Sequence, residues 1–463
     1  MTKKEVYKLI AESANYGNLG LFIGAGFSIA VSEISYNFEP LSWAELLERI
    51  CIDNGILWNP KMDSKGKIEQ EEDVKKDLNS CPEIASQICN LLRDKNDITF
   101  EEAVRTVKEQ ICNITSWYSN KEQRDIYGNK LKSLSPNWIV TTNYDLILET
   151  LLPEESISLS PKDEFVFPRN RIPIYHLHGI RSEPENIVIT NEDYIALSRP
   201  HNYRMERLAF LFSESTTLMI GYRIGDQNVL TALDWSKNIY DPQNNNNQEY
   251  PHNIIQIVYT DSPRTDAYKT EKGILILETN SLIKTLDDII ESIIDLKDIQ
   301  KEKNNSLDTL RETFLNPNEE QLNDFLSDEN KRHEILTNII NEKEIAIASE
   351  SFLSEVFNSA WEATKPDGAF EAYADILNIF IDIFKNFELQ SFPPSIVMFF
   401  ISNFERLCFY VNDVCGTSYK AYDIWKQEKD LFLEKNKEDI KTYSRWNWRI
   451  YSLLKRSNFI SKQ

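Results

Sequence analysis

The chain has 463 residues, enough for two or three domains at roughly 150 residues each. Its 73 acidic against 51 basic residues give a net charge of −22, which argues against direct binding to nucleic acid or an anionic membrane surface unless basic residues cluster locally. Hydrophobic residues make up 41% of the chain, so core material is plentiful and disorder of the whole chain is excluded.

Residues 1–17, MTKKEVYKLIAESANYG, carry an amphipathic helix pattern, not the apolar core and cleavage site of a signal peptide. Short apolar runs then alternate with helical patterns through the first two-thirds. Strands are predicted over 19–23, 138–141, 173–177, 187–190, 217–221, 254–259 and 274–278. Most are continuously apolar, as in a parallel sheet covered on both faces. Helices are predicted over 42–54, where Ser42 and Glu45 form a capping box, and over 82–93, 100–112, 145–152, 204–212, 228–239 and 281–296. The alternation predicts an open, doubly wound, mostly parallel α/β domain. Residues 244–247 read as a short low-complexity loop.

From about Ile299 the alternation stops. Residues 301–305 read as a polar linker, and helices are predicted over 319–326, 333–340, 351–361, 369–387, 394–411 and 419–434. An all-α domain over 306–463 is expected, with Phe380, Phe384 and Phe387 in its core. No window approaches the roughly 20 apolar residues of a membrane span. The six cysteines form no CxxC pair and no zinc-site spacing with histidine. A soluble, reduced, cytoplasmic protein is the expectation.

Against only 13 glycines in the chain, LGLFIGAGFSIA at 19–30 stands out. A buried strand runs into Gly24-Ala25-Gly26, with Ser28 two residues on. Glycines there permit close backbone approach to a pyrophosphate, or simply a tight strand–helix turn. A dehydrogenase fingerprint is not met, because Ile29 replaces its third glycine and a helix follows where a second strand should stand. Nor does a Gly-Lys-Ser/Thr make it a P-loop. Two further strand ends, Trp138-Ile-Val-Thr-Thr-Asn-Tyr-Asp145 and Ile174-Tyr-His-Leu-His-Gly179, place Asn143, Asp145 and His178 where ligands bind a doubly wound sheet. A third, LMIGYRIGDQN, brings Gly221, Asp226 and Asn228 toward the same cleft.

GAGFS, TTNYD, HLHG and IGYRIGD, in this order and spacing, resemble the sirtuin family, and more narrowly the sirtuin-like domains of bacterial antiphage defence proteins. The likeness covers about residues 15–295 and includes LSWAELL and PENIVITNEDYI between the motifs. It implies a sirtuin-like Rossmann-type domain over 1–298 that takes NAD as substrate. Gly24, Ala25, Gly26 and Ser28 would then wrap the NAD pyrophosphate. Asn143 would hold the nicotinamide ribose or the attacking water, Asp145 the nicotinamide carboxamide, and His178 would be the general base. Thr142, Gly221, Asp226 and Asn228 join the implied NAD-binding set, and Glu278 and Asn280 of ILILETN would meet the adenine ribose.

Departures from the family narrow the chemistry. The four-cysteine zinc module of protein-deacylating sirtuins is missing, since no cysteine lies between Cys112 and Cys408. The proline-rich, Arg-containing loop that follows the glycine turn in deacylases is replaced by Ser42-Trp43. Both losses favour water as acceptor, hence metal-independent hydrolysis of NAD to ADP-ribose and nicotinamide. Residues 55–137 are expected to form a helical insertion capping the cleft.

Each residue also has a plainer reading. His178 can be a buried histidine bonded to a backbone carbonyl, Asp145, Asp226 and Asn228 can be helix caps, and His176 is read as structural. Segment 441–463 holds Lys441, Arg445, Arg449, Lys455, Arg456 and Lys462 with Trp446 and Trp448 and no acid. It reads as a terminal helix docked on the acidic body, or as a partner or nucleic-acid contact. The expected function is an NAD-depleting effector of antiphage defence acting by abortive infection. By analogy it forms a homo-oligomer controlled by a partner protein or phage trigger through the helical domain, with direct nucleic-acid or membrane binding not expected. A catalytically silent NAD or ADP-ribose sensor and a protein deacylase are the competing readings.

Overall fold

In the computed structural model, which describes residues 1–57, 81–164, 166, 169–197, 199, 202–238 and 250–460, the apolar runs of the first half line up as one eight-stranded sheet. In chain order the strands are β1 (Leu19–Ile23), β2 (Trp138–Thr141), β3 (Ser156–Leu159), β4 (Ile172–His176), β5 (Thr216–Ile220), β6 (Ile254–Tyr259), β7 (Tyr268–Lys269) and β8 (Leu275–Thr279). Their spatial order is β3-β4-β2-β1-β5-β6-β8-β7, with every pairing parallel except β7–β8. Both faces are covered. Leu19, Leu21, Ile23 and Leu218 enter one core, while Phe22, Val140 and Met219 enter the other. This is the doubly wound, mostly parallel α/β fold expected from the continuous apolar runs.

The sheet grows outward from β1 in both directions. After β4 the chain crosses back past β1 to lay down β5, so the strand order reverses at β1. The crevice outside the carboxyl ends of β2, β1 and β5 is where such a sheet binds ligands.

Local signals set several boundaries. The helix Lys3–Tyr16 starts at a Thr2–Glu5 capping box and stops at Gly17, which is left-handed at φ 70°. Helix Trp43–Asp53 is started by the Ser42–Glu45 capping box, as read from the sequence.

The predicted strand at 187–190 is not one. Val188 gives its amide to the His178 carbonyl (2.7 Å), and the amides of Ile189 and Thr190 go to the Asp193 carboxylate at 3.1 Å each. Its apolar side chains have another use: Ile187 and Ile189 pack with Leu47, Ile88, Val107 and Ile111. These come from Trp43–Asp53 and from two helices of the expected insertion, Cys81–Asn96 and Phe100–Ile114. Residues 58–80 of that insertion, and the loop at 244–247, lie outside the described residues. Edge strands β3 and β7 carry no sequence signal of their own, since β3 is mostly half-buried and β7 has two residues.

The chain divides into two units, Met1–Asp298 and Ile299–Gln463. Residues 301–305, expected as a linker, are instead part of the helix Leu282–Leu315, their polar side chains exposed along it. Every described element of the second unit is helical. Its core stacks Phe352, Phe380, Phe384, Phe400, Phe404 and Trp425, with Phe384 edge-on to Phe404 at 5.2 Å. Phe387 is only half-buried. Near the C-terminus, helix Trp448–Arg456 buries Ile450, Leu453 and Leu454 in this core, leaving Trp446 90% and Trp448 65% exposed. Lys462 lies outside the described residues.

One backbone contact positions the ligand-binding crevice. The turn after β1 presses on the loop after β5, with the Gly24 amide on the Ile220 carbonyl (3.0 Å) and the Gly26 amide on the Gly221 carbonyl (2.8 Å). Gly221 sits at φ 63°, and a Cβ there would lie 2.1 Å from the Phe27 nitrogen. Gly221→Ala is expected to cost roughly 2–5 kcal/mol, from left-handed strain and overpacking together. Gly416, at φ 85° with nothing within 4 Å of an added Cβ, isolates the strain alone, and Gly416→Ala should cost about 1 kcal/mol. Thermal unfolding compares the two variants, and equal midpoints would show that close approach at Gly221 is not required.

Candidate active site

The end of β2 builds the first half of the site. Thr141 caps the end of β1 by donating its hydroxyl to the Ile23 carbonyl (3.0 Å), and the same oxygen accepts the Asn143 amide (3.0 Å). The Asn143 side chain donates Nδ2 to Ser28 Oγ (3.2 Å), and Ser28 donates to Asp145 Oδ2 (3.1 Å). The other Asp145 oxygen takes the Ile147 amide (3.0 Å), opening the helix Ile147–Leu151. Asp145 is thus both helix cap and part of a polar chain reaching back to the glycine turn. Burial, reinforced by Glu149, pushes its carboxyl up to about 6, with the Ile147 and Ser28 hydrogen bonds opposing.

The two histidines of HLHG separate at the end of β4. A strand through both would place them on one face. Instead β4 stops at His176 and the chain turns through Leu177 and His178 to Gly179, left-handed at φ 103°. His176 is fully buried, with Nδ1 donating to the Asn143 carbonyl (3.0 Å) and Nε2 facing Glu149 Oε1 (2.8 Å). Burial pulls its pKa down, but Glu149, the Asn143 carbonyl and Asp145 outweigh it and leave the pKa raised. His176 therefore pins the Asn143 backbone, held between the Asn143 carbonyl and Glu149.

His178 has the opposite electrostatics. Burial lowers its pKa, Arg204 adds to that, and Asp226 opposes it. Its Nδ1 is 3.3 Å from the Tyr194 hydroxyl, which donates to Asp226 Oδ2 (2.9 Å). Its Nε2 stands 3.5 Å from that same carboxylate and has no hydrogen-bond partner among the described residues. Asp226 Oδ1 accepts the amides of Asn228 (2.8 Å) and Val229 (3.3 Å), so this carboxylate also caps the helix Gln227–Asn238. Trp43 stacks on Tyr194 at 5.9 Å beside the His178 ring.

These groups face one cavity of about 980 Å³. Of the residues singled out in the sequence, Ala25, Ser28, Thr142, Asn143, Asp145, His178, Asp226 and Asn228 line it. Gly24, Gly26 and Gly221 do not line it but shape its floor through the contact described above. Glu278 and Asn280 are placed elsewhere. The Glu278 carboxylate takes the Arg264 amide (2.9 Å) and the Tyr268 hydroxyl (3.2 Å), and Asn280 is exposed beyond β8, two strands from β5.

Sequence reading passed over Tyr194, Trp43, Thr141 and Glu149 as site residues. Tyr194 carried one usable signal, its place in the NEDYI run next to HLHG, but its contact with Asp226 spans 32 residues.

Residues 137–277 match the family model described as a SIR2-like domain. Over those residues the chain is similar to SIR2-like domains. The match spans Asn143, Asp145, His178, Gly221, Asp226 and Asn228 and begins after the glycine turn. Defense-associated sirtuin 2 of Bacillus subtilis is 22% identical to this chain over 288 residues, covering 60% of the chain. The chain spans 25% of the length of that relative. A chain solved in work on the mechanism and regulation of Sir2 enzymes aligns over 64% of this chain and 98% of its own length, at 10% identity and a TM-score of 0.32.

Among the described residues, one His/carboxylate grouping has its ligand atoms close enough together for an ion: Glu329, His333 and Asp382, in the second unit. Asp382 there is already held by Arg332 Nε (2.5 Å), His333 Nε2 (2.7 Å) and Asn386 Nδ2 (2.7 Å). No helix among the described residues is long and apolar enough to cross a membrane.

The Asp145 shift has a stability consequence. A carboxyl whose folded pKa lies above its unfolded value favours the fold at pH below about 4, and that contribution is lost as pH rises through about 6. The span from the ordinary 3.8 to about 6 corresponds to on the order of 3 kcal/mol. Thermal unfolding from pH 4 to 7.5 should therefore show the wild type losing this increment relative to Asp145→Asn. Parallel pH profiles for the two proteins would refute the assignment of a buried, ionising Asp145.

Proposed function

We propose that the SIR2-like domain is an NAD+ glycohydrolase, cleaving the nicotinamide–ribose bond to release nicotinamide and ADP-ribose. The observation that carries this reading is the convergence of the Ser28–Asn143–Asp145 chain and a low-pKa His178 on one cavity at the carboxyl ends of β1, β2 and β4. The scissile bond has a positively charged leaving group, so it breaks through an oxocarbenium-like state that needs positioning and negative charge more than a strong nucleophile.

Asn143 has the donor and acceptor to hold a ribose hydroxyl or water without changing its own charge. Its amide is already aimed by Ser28, and its backbone is fixed by Thr141 and His176. Asp145 keeps lone pairs beyond its bonds to Ser28 and Ile147, suited to the nicotinamide carboxamide. As the C–N bond breaks, its electron pair stays on nicotinamide. Water adds its oxygen to the ribose carbon, and its proton passes to His178, neutral near pH 7 because burial lowers its pKa.

The relative named Defense-associated sirtuin 2 supports placing this activity in antiphage defence, as an effector that depletes NAD in the cytoplasm of an infected cell. Under this proposal residues 1–298 form the catalytic domain. Residues 306–463 restrain it or receive a partner or phage trigger, and the active form is a homo-oligomer.

Nicotinamide release from NAD by the full chain, measured by chromatography, tests the chemistry. Asn143→Ala and His178→Ala should each lower the rate by roughly 10²–10⁴-fold. The wild-type rate should fall as pH drops through about 6, where Asp145 takes up its proton, and protonation of His178, whose pKa is lowered, should reduce it further. Variants as fast as wild type would remove the proposal. Tight, reversible NAD binding without turnover would make the domain a sensor instead.

A further inference from the structure

Three amides of the glycine turn are spent inside the fold, which leaves Ala25 as the turn residue that lines the cavity. The Gly24 amide is spent on the Ile220 carbonyl (3.0 Å), the Gly26 amide on the Gly221 carbonyl (2.8 Å), and the Phe27 amide on the Gly24 carbonyl (3.0 Å). The acids on the cavity wall, Asp145 and Asp226, repel a dianion, and the chain carries −22 overall. A diphosphate entering this cavity therefore needs cations from somewhere else.

The wall supplies two. Among the described residues, Arg199 and Arg223 are the lysine or arginine side chains that line the cavity. Both are exposed, and neither makes an ion pair among the described residues. Arg223 belongs to the loop whose Gly221 carbonyl occupies the Gly26 amide, so the same loop that takes away an amide donor brings in a guanidinium two residues later. Arg199 stands on the segment after the helix Asn191–Leu197, which also carries Tyr194 to the site. A guanidinium is always charged and presents a planar fork of N–H donors that matches phosphate oxygens two at a time.

We propose that Arg199 and Arg223 hold the diphosphate of the dinucleotide, taking over most of the role the sequence resemblance gives to the glycine turn. The inference rests on the reading that this cavity takes NAD, but not on cleavage of NAD. Gly24 and Gly26 then serve close packing, and anion recognition falls mainly to side chains on the cavity wall.

Calorimetric titration of the full chain with ADP-ribose, and with adenosine as the phosphate-free control, tests the clamp. Arg199→Ala and Arg223→Ala should each weaken ADP-ribose binding on the order of 10-fold, and the double variant further. Adenosine binding should change less than about 3-fold, the wild-type affinity for ADP-ribose should fall with added salt, and Arg223→Lys should recover part of the loss. The clamp is overturned if the double variant binds ADP-ribose as well as wild type does, if adenosine binding falls in parallel, or if the wild type does not bind ADP-ribose. A wild type that binds ADP-ribose through these arginines yet releases no nicotinamide from NAD leaves the clamp standing and removes the glycohydrolase proposal.

Discussion

The α/β unit depends on two backbones touching where no side chain can fit. Gly24 and Gly26 on one side and Gly221 on the other let the turn after β1 lie directly against the loop after β5. That contact fixes the start of the helix carrying Ser28 and the path of the loop carrying Arg223 and Asp226. On the other flank of β1, Thr141 ties β2 to the Ile23 carbonyl and thereby sets Asn143. The cavity wall is thus assembled from strand ends whose mutual positions follow from one close approach, which is why glycine is needed at places that do not themselves line the cavity.

Upon this frame, burial sorts chemically similar groups into different roles. His176 and His178 are two residues apart, and both are buried. His176 faces Glu149, which raises its pKa and makes it a structural pin, whereas desolvation dominates at His178 and lowers its pKa. Asp145 and Asp226 are both helix caps, yet each gives its second oxygen to the site, through Ser28 in one case and Tyr194 in the other. Capping and site roles coexist because a carboxylate has lone pairs enough for both.

Much of this was legible in the chain. Continuous apolar runs placed β1, β2 and β6 within a residue, because a strand buried on both faces has no freedom to be polar. The TTNYD and HLHG strand ends pointed to Asn143, Asp145 and His178, all of which line one cavity. The run at 187–190 misled for a physical reason: its isoleucines are buried against the inserted helices, and periodicity does not say which neighbour a buried side chain has. Glu278 sits at a strand end as the resemblance required, but β7 folds back antiparallel beside β8 and Tyr268 takes its carboxylate.

The sequence by itself determined the strand–helix alternation, the change to an all-helical second unit, and the residue types gathered at strand ends. These are local properties, set by hydrophobic periodicity, capping and the rarity of glycine. Only the tertiary structure decided which glycine amides are consumed, which way each histidine's pKa moves, and that Tyr194 joins His178 to Asp226. Hydrogen-bond donors are spent and pKa values are shifted by groups far apart along the chain, so no window of sequence contains both partners.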